Sequence, residues 1–152
     1  MPQELKRAEI HWDDLEVGSH WTTRGRTISE PDLVGFLNIA WLTEPLFTDR
    51  NAPVGPAVHG RLVPGAMVYT MAEGLTLAAV DILGFALLNT EMEVRGPTYC
   101  GDTIHVRSSV TELKATSKAD RGIARFRNEV VNQKGAVVLV YSAMRMVKRR
   151  AH

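Results

Sequence analysis

From Leu62 to Leu88 the chain carries only two charged side chains, Glu73 and Asp81, and soon afterwards its apolar pattern changes period. Val63-Pro64-Gly65 reads as a helix start with proline near the first turn, and Gly84 stands where a C-terminal cap would close that helix. A helix that is apolar nearly all round has to be enclosed by other elements. The enclosing material follows directly. Ile104, Val106 and Val110 alternate with His105, Arg107 and Ser109, which is the period of a half-buried strand. Phe126, Val130 and Val131 mark another strand, and the turn Asn132-Gln133-Lys134-Gly135 leads to a further one with Val138, Val140 and Met144. Leu87, Leu88, Met92 and Val94 lie on an earlier strand. The expectation is an α+β protein in which an antiparallel sheet wraps around a long buried helix.

Upstream, Ser29 suits an N-cap, because Glu30, Pro31 and Asp32 supply the proline and acid of a first turn. Leu33, Phe36, Leu37 and Ala40 then give an amphipathic face ending near Trp41. Between Leu42 and Arg61 periodicity is lost and Pro45, Pro53, Gly55 and Pro56 punctuate the chain, predicting a long irregular segment of the kind that carries function. No repeat or linker divides the sequence, so residues 1–152 are read as one domain.

Charge excludes several classes. Eighteen basic side chains against 17 acidic ones give a net charge of +1, so no global field recruits nucleic acid or anionic lipid. The basic run Lys148-Arg149-Arg150 reads as a solvated tail. Pro64, Glu73, Gly74, Asp81 and Gly84 interrupt the most apolar stretch, a poor membrane-spanning pattern. Met1 to Ile10 lacks the apolar core of a signal peptide. Together with the single Cys100, these features predict a cytoplasmic protein with no metal site. No phosphate loop, dinucleotide fingerprint, zinc spacing or serine elbow is present, so no cofactor is expected.

Six short motifs carry a resemblance that extends over nearly the whole chain. They are His11-Trp12-Asp13-Asp14-Leu15-Glu16-Val17-Gly18, Gly25-Arg26-Thr27-Ile28-Ser29-Glu30, Glu44-Pro45-Leu46-Phe47-Thr48-Asp49, Gly60-Arg61-Leu62-Val63-Pro64-Gly65, Ala72-Glu73-Gly74-Leu75 and Gly101-Asp102-Thr103-Ile104. In this order they resemble the MaoC-like family, which includes (R)-specific enoyl-CoA hydratases. The resemblance implies a hot-dog fold, an acyl-CoA or acyl-carrier thioester as substrate and partner, and assembly as a homodimer or higher homo-oligomer. It implies an acid/base pair, Asp and His, at positions that fall here on Leu42 and Phe47, neither of which can move a proton. The family's later His-Gly is Pro64-Gly65, and its serine one turn along the buried helix is Thr70.

Hydrating an enoyl thioester requires a base to activate water and positive potential at the thioester oxygen. The potential is available at Gly65 and Ala66, whose backbone N–H groups begin a helix. For the acid/base role the irregular segment offers Glu44 and, second, His59. Burial of Glu44 beside Trp41 and Phe47 would raise its pKa into a working range; the alternatives are an exposed rim carboxylate and a surface histidine. Arg61 could bind CoA phosphate or form a structural ion pair, as could Arg26 and Arg95. Asp49 reads as a turn or cap residue. Met67, Tyr69, Met71 and Leu75 could line an acyl tunnel or simply pack the core. The function expected is acyl-thioester binding with hydratase/dehydratase activity from a non-standard acid/base set; the alternatives are a non-catalytic binding or partner subunit and a thioesterase.

Overall fold

The computed structural model describes residues 2, 4, 9–52, 55 and 59–151. In chain order the elements are β1 (Glu9–Ile10), a 3-10 turn (Trp12–Asp14), β2 (His20–Thr22), β3 (Arg26–Thr27), α1 (Glu30–Ala40), α2 (Pro45–Thr48), α3 (Gly65–Ala79), β4 (Asp81–Ile82), β5 (Gly84–Val94), β6 (Thr103–Ala115), β7 (Arg121–Val131) and β8 (Val137–Lys148). The main sheet has the order β2-β6-β7-β8-β5, with β3 continuing along β6. All its pairings are antiparallel. β1 and β4 form a separate parallel pair.

Alternation along the strands sorts the sheet into two faces. Ile104, Val106, Val110, Phe126, Val130, Leu139, Tyr141 and Ala143 are buried on the face that α3 covers, and α3 answers with Met67, Val68, Ala72 and Leu75. The α1 start is capped as expected: Ser29 Oγ accepts from the Asp32 N–H while the Asp32 carboxylate accepts from the Ser29 N–H. The β7–β8 turn closes through Gly135, whose φ of +77° favours glycine.

Three expectations are corrected. α3 ends at Ala79 and not at Gly84, because Val80 to Ile82 turns extended and Asp81 and Ile82 pair with Glu9 and Ile10. Gly84 instead opens β5. Nor is α3 enclosed all round: Ala66, Thr70, Gly74, Leu77 and Ala78 form an exposed face, since the sheet covers one side of the helix. The basic tail is not simply solvated. The Arg149 guanidinium donates twice to the Asp13 carboxylate and lies 4.8 Å over the Trp12 ring, and Arg150 pairs with Asp14. This clasp ties β8 to the first 3-10 turn.

β5 is a sheet edge with many apolar side chains in solvent: Phe85, Leu87, Leu88, Met92 and Val94 are each between 43% and 56% exposed. Among the described residues, no helix is long and apolar enough to cross a membrane. Part of the irregular segment, residues 53–54 and 56–58, lies outside the described residues, as do 1, 3 and 5–8 near the N-terminus.

Candidate functional site

The first turn of α3 forms the floor of an apolar cleft. Pro64 is the N-cap and offers no side-chain acceptor, while its carbonyl takes hydrogen bonds from the N–H groups of Met67 and Val68 at 3.0 and 3.1 Å. Gly65 and Ala66 therefore stand at the positions whose N–H groups an α-helix leaves without intrahelical partners. Phe47, Leu62, Val68, Val94, Pro97 and Leu139 are among the residues lining the cleft beside Gly65. Among the described residues, no ionisable side chain is in that lining. A Cβ at Gly65 would lie 2.9 Å from Cγ2 of Val94, so a close approach of α3 to β5 already accounts for glycine there. Helix polarity places partial positive charge at this end of the cleft.

The structure does not bring the two acid/base candidates to that cleft. Glu44 is the N-cap of α2; its backbone carbonyl accepts from Phe47 and Thr48, and the residue is exposed. Trp41 is 84% exposed, so the burial expected to perturb Glu44 is not provided. The reason is local: Trp41 ends α1 in a left-handed conformation, φ 57°, that turns it outward. His59 is exposed, and its backbone N–H donates to the Tyr99 hydroxyl at 3.3 Å. Leu42 and Phe47, at the family's acid/base positions, pack against the main core.

Arg61 forms an ion pair with Glu30 and donates to the Phe47 carbonyl at 3.4 Å, bridging the start of α1 to α2. Arg26 pairs with Asp32 at 2.9 Å and Arg95 with Glu93 at 3.4 Å, so each of the three arginines has a carboxylate partner. The Thr70 hydroxyl donates to the Ala66 carbonyl one turn back, at 2.8 Å. It faces a shallow groove with Arg24, Arg26 and Gly74, apart from the Gly65 cleft. Asp49 accepts from the Asn51 N–H at 2.9 Å, the turn role expected of it. Met67 and Leu75 are core residues, while Tyr69 and Met71 are partly buried beside them.

A second polar constellation escaped sequence reasoning. Glu73 on α3 accepts a 2.7 Å hydrogen bond from the Tyr141 hydroxyl and forms an ion pair with Arg145, both on β8. The Glu73 and Arg145 side chains are each 16% exposed. Burial pushes the Tyr141 phenol well above its ordinary range and the Arg145 guanidinium below its own. Next along the same sheet face, Ser108 donates to Asn128 at 2.7 Å. The available signal was phase: Ser108 sits in register with Val106 and Val110, and Asn128 with Phe126 and Val130, at inward positions where polar residues are unexpected.

No protein-family model matches the sequence. The mesaconyl-CoA hydratase of Cereibacter sphaeroides is 34% identical over 99 residues, which is 65% of this chain and 26% of that protein. The chain thus matches about a quarter of that relative's length. Among solved structures, a MaoC-like dehydratase from Rhodospirillum rubrum superposes with a TM-score of 0.79 at 22% identity, covering 94% of this chain and 99% of the other. The (R)-hydratase PhaJ1 from Pseudomonas aeruginosa gives 0.76 at 23% identity, over 93% of this chain and 87% of the other. With an antiparallel sheet packed on one long helix and these neighbours, the chain has a hot-dog fold.

Proposed function

We propose that the protein binds an acyl thioester, of CoA or of an acyl carrier, with the carbonyl oxygen at the N–H groups of Gly65 and Ala66 and the acyl chain against the apolar cleft. The uncapped start of α3 inside an otherwise apolar lining is the observation that carries this reading. Backbone donors and the helix dipole favour the polarised carbonyl, and Phe47, Leu62 and Val94 offer apolar surface to the acyl chain. One similar protein, mesaconyl-CoA hydratase, carries a CoA thioester in its name.

Hydratase/dehydratase activity is the second reading, favoured by the 34% identity to mesaconyl-CoA hydratase. With Leu42 and Phe47 apolar and no ionisable group among the described residues lining the cleft, its acid/base groups have to come from the neighbouring segment, Glu44 first and His59 second. The protein also pairs with a second copy in this proposal, because the β5 edge and its exposed apolar side chains need cover.

A thioester panel of crotonyl-CoA, a 3-hydroxyacyl-CoA and a saturated acyl-CoA tests both readings. Binding without turnover establishes the binding role. Turnover that falls about 100- to 10,000-fold in Glu44→Gln, with affinity retained, establishes the enzyme. Failure of every thioester to bind contradicts the proposal.

A further inference from the structure

The polar row under α3 borders a partly open cavity whose lining reaches the exposed Leu77. Trp21 on β2 pairs in register with Ser108, Ser108 with Asn128, and Asn128 with Tyr141, so four strands present these side chains on the same face. All four residues are buried, between 1% and 4% exposed. Beside them lies a cavity of about 50 Å³ whose walls include Trp21, Glu73, Thr76, Phe126, Asn128 and Arg145. Most of the polar groups there are already engaged: Ser108 with Asn128, Tyr141 and Arg145 with Glu73, and the Thr76 hydroxyl with the Glu73 carbonyl. The indole N–H of Trp21 is the exception, buried and without a hydrogen-bond partner among the described residues.

We propose that this cavity is an end-pocket for a neutral, oxygen-bearing group at the far end of the acyl chain, with the Trp21 indole N–H as its donor. The inference rests on the reading that the thioester carbonyl sits at Gly65. Glu73 lies eight residues beyond Gly65 on α3, or about 12 Å along the axis, which is the span of a medium-length chain. The same-face residues of β5 follow the route: Val94 contacts the Gly65 position, Met92 is paired with Tyr141, and Leu87 is paired with Arg145. Charge selects the end group. Arg145 is neutralised by Glu73, so a carboxylate entering the cavity would bring an uncompensated buried charge. A hydroxyl or carbonyl oxygen brings none and satisfies the N–H, whereas a methyl end leaves it unbonded.

Three ligands of matched length test this on the whole protein: octanoyl-CoA, ω-hydroxyoctanoyl-CoA and the ω-carboxylate suberyl-CoA. By calorimetry the hydroxyl ligand should bind about three- to tenfold more tightly than octanoyl-CoA, with suberyl-CoA weakest. In Trp21→Phe that preference should vanish while octanoyl-CoA affinity is kept, which also shows the variant folded. Equal binding of the hydroxyl and methyl ligands to the wild type, or a preference that survives Trp21→Phe, overturns the end-pocket. A readout independent of the thioester is the Trp21 Nε1–H resonance, assigned by its loss in Trp21→Phe. Octanol should shift it even if no CoA ester binds, a result that would remove the thioester reading and keep the pocket. No shift with octanol or with any of the three esters removes the pocket.

Discussion

Replacing Glu73 by leucine should be among the most damaging single changes in the molecule. The carboxylate holds two groups from β8, the Tyr141 hydroxyl at 2.7 Å and the Arg145 guanidinium, and both charged side chains are only 16% exposed. Removing one partner of a buried ion pair costs about 3–5 kcal/mol, because the remaining charge stays desolvated without its counter-ion. Slight solvent access puts Glu73→Leu near the lower end, at about 3 kcal/mol. For a chain of 152 residues that lowers the thermal midpoint by about 6–12 °C. The double variant Glu73→Leu/Arg145→Leu removes both charges together and should return to within about 1 kcal/mol of the wild type, since apolar replacement of a buried pair is often neutral. Urea or thermal unfolding of wild type, both singles and the double closes the cycle at one fixed protein concentration. A loss below about 1 kcal/mol for Glu73→Leu, or a double variant that loses the sum of its singles, would refute the argument that the pair is buried and coupled.

The clasp between the first 3-10 turn and β8 should weaken in acid. The Arg149 guanidinium, then the Arg150 N–H, hold the Asp13 carboxyl at about 2, below its ordinary 3.8, so its stabilisation is present above pH ~4 and is lost as pH falls towards 2. Asp13→Asn should flatten that window in an acid titration of stability; an unchanged profile contradicts the clasp. Gly122→Ala places a Cβ 2.5 Å from the Trp12 indole, which is held by its hydrogen bond to Ile123 and by Arg149 above it, and should cost about 1–3 kcal/mol in urea unfolding. Light scattering should give a dimer, and Leu88→Glu on the exposed β5 edge should shift it towards monomer. A stable wild-type monomer at micromolar concentration contradicts the edge pairing.

What the sequence made legible was local. Ser29 with Asp32 announced the start of α1, and alternation at Ile104–Val110 and around Val130 announced the strands, because caps and pleats depend on near neighbours. The end of α3 was misplaced because Asp81–Ile82 pairs with the distant Glu9–Ile10, a choice invisible within the helical window. The buried network joins residues 68 and 72 positions apart, and the tail clasp joins residues 136 apart. No single-chain periodicity pairs such groups. Of the candidate site, the Gly65 helix start was legible from Pro64-Gly65. The exposure of Glu44 and His59 was not, since it depends on how Trp41 and α2 turn relative to the core.

The most direct test of the thioester site is calorimetric titration of octanoyl-CoA into wild type and Gly65→Pro. Proline suits the first helical position and removes the N–H proposed to meet the carbonyl oxygen; because its Cβ also meets Val94, Gly65→Ala, which meets Val94 and keeps the N–H, is the control that should still bind. The account predicts that the wild type binds and that the folded variant loses acyl-CoA binding; equal affinity in the two proteins would contradict a thioester seated at the start of α3.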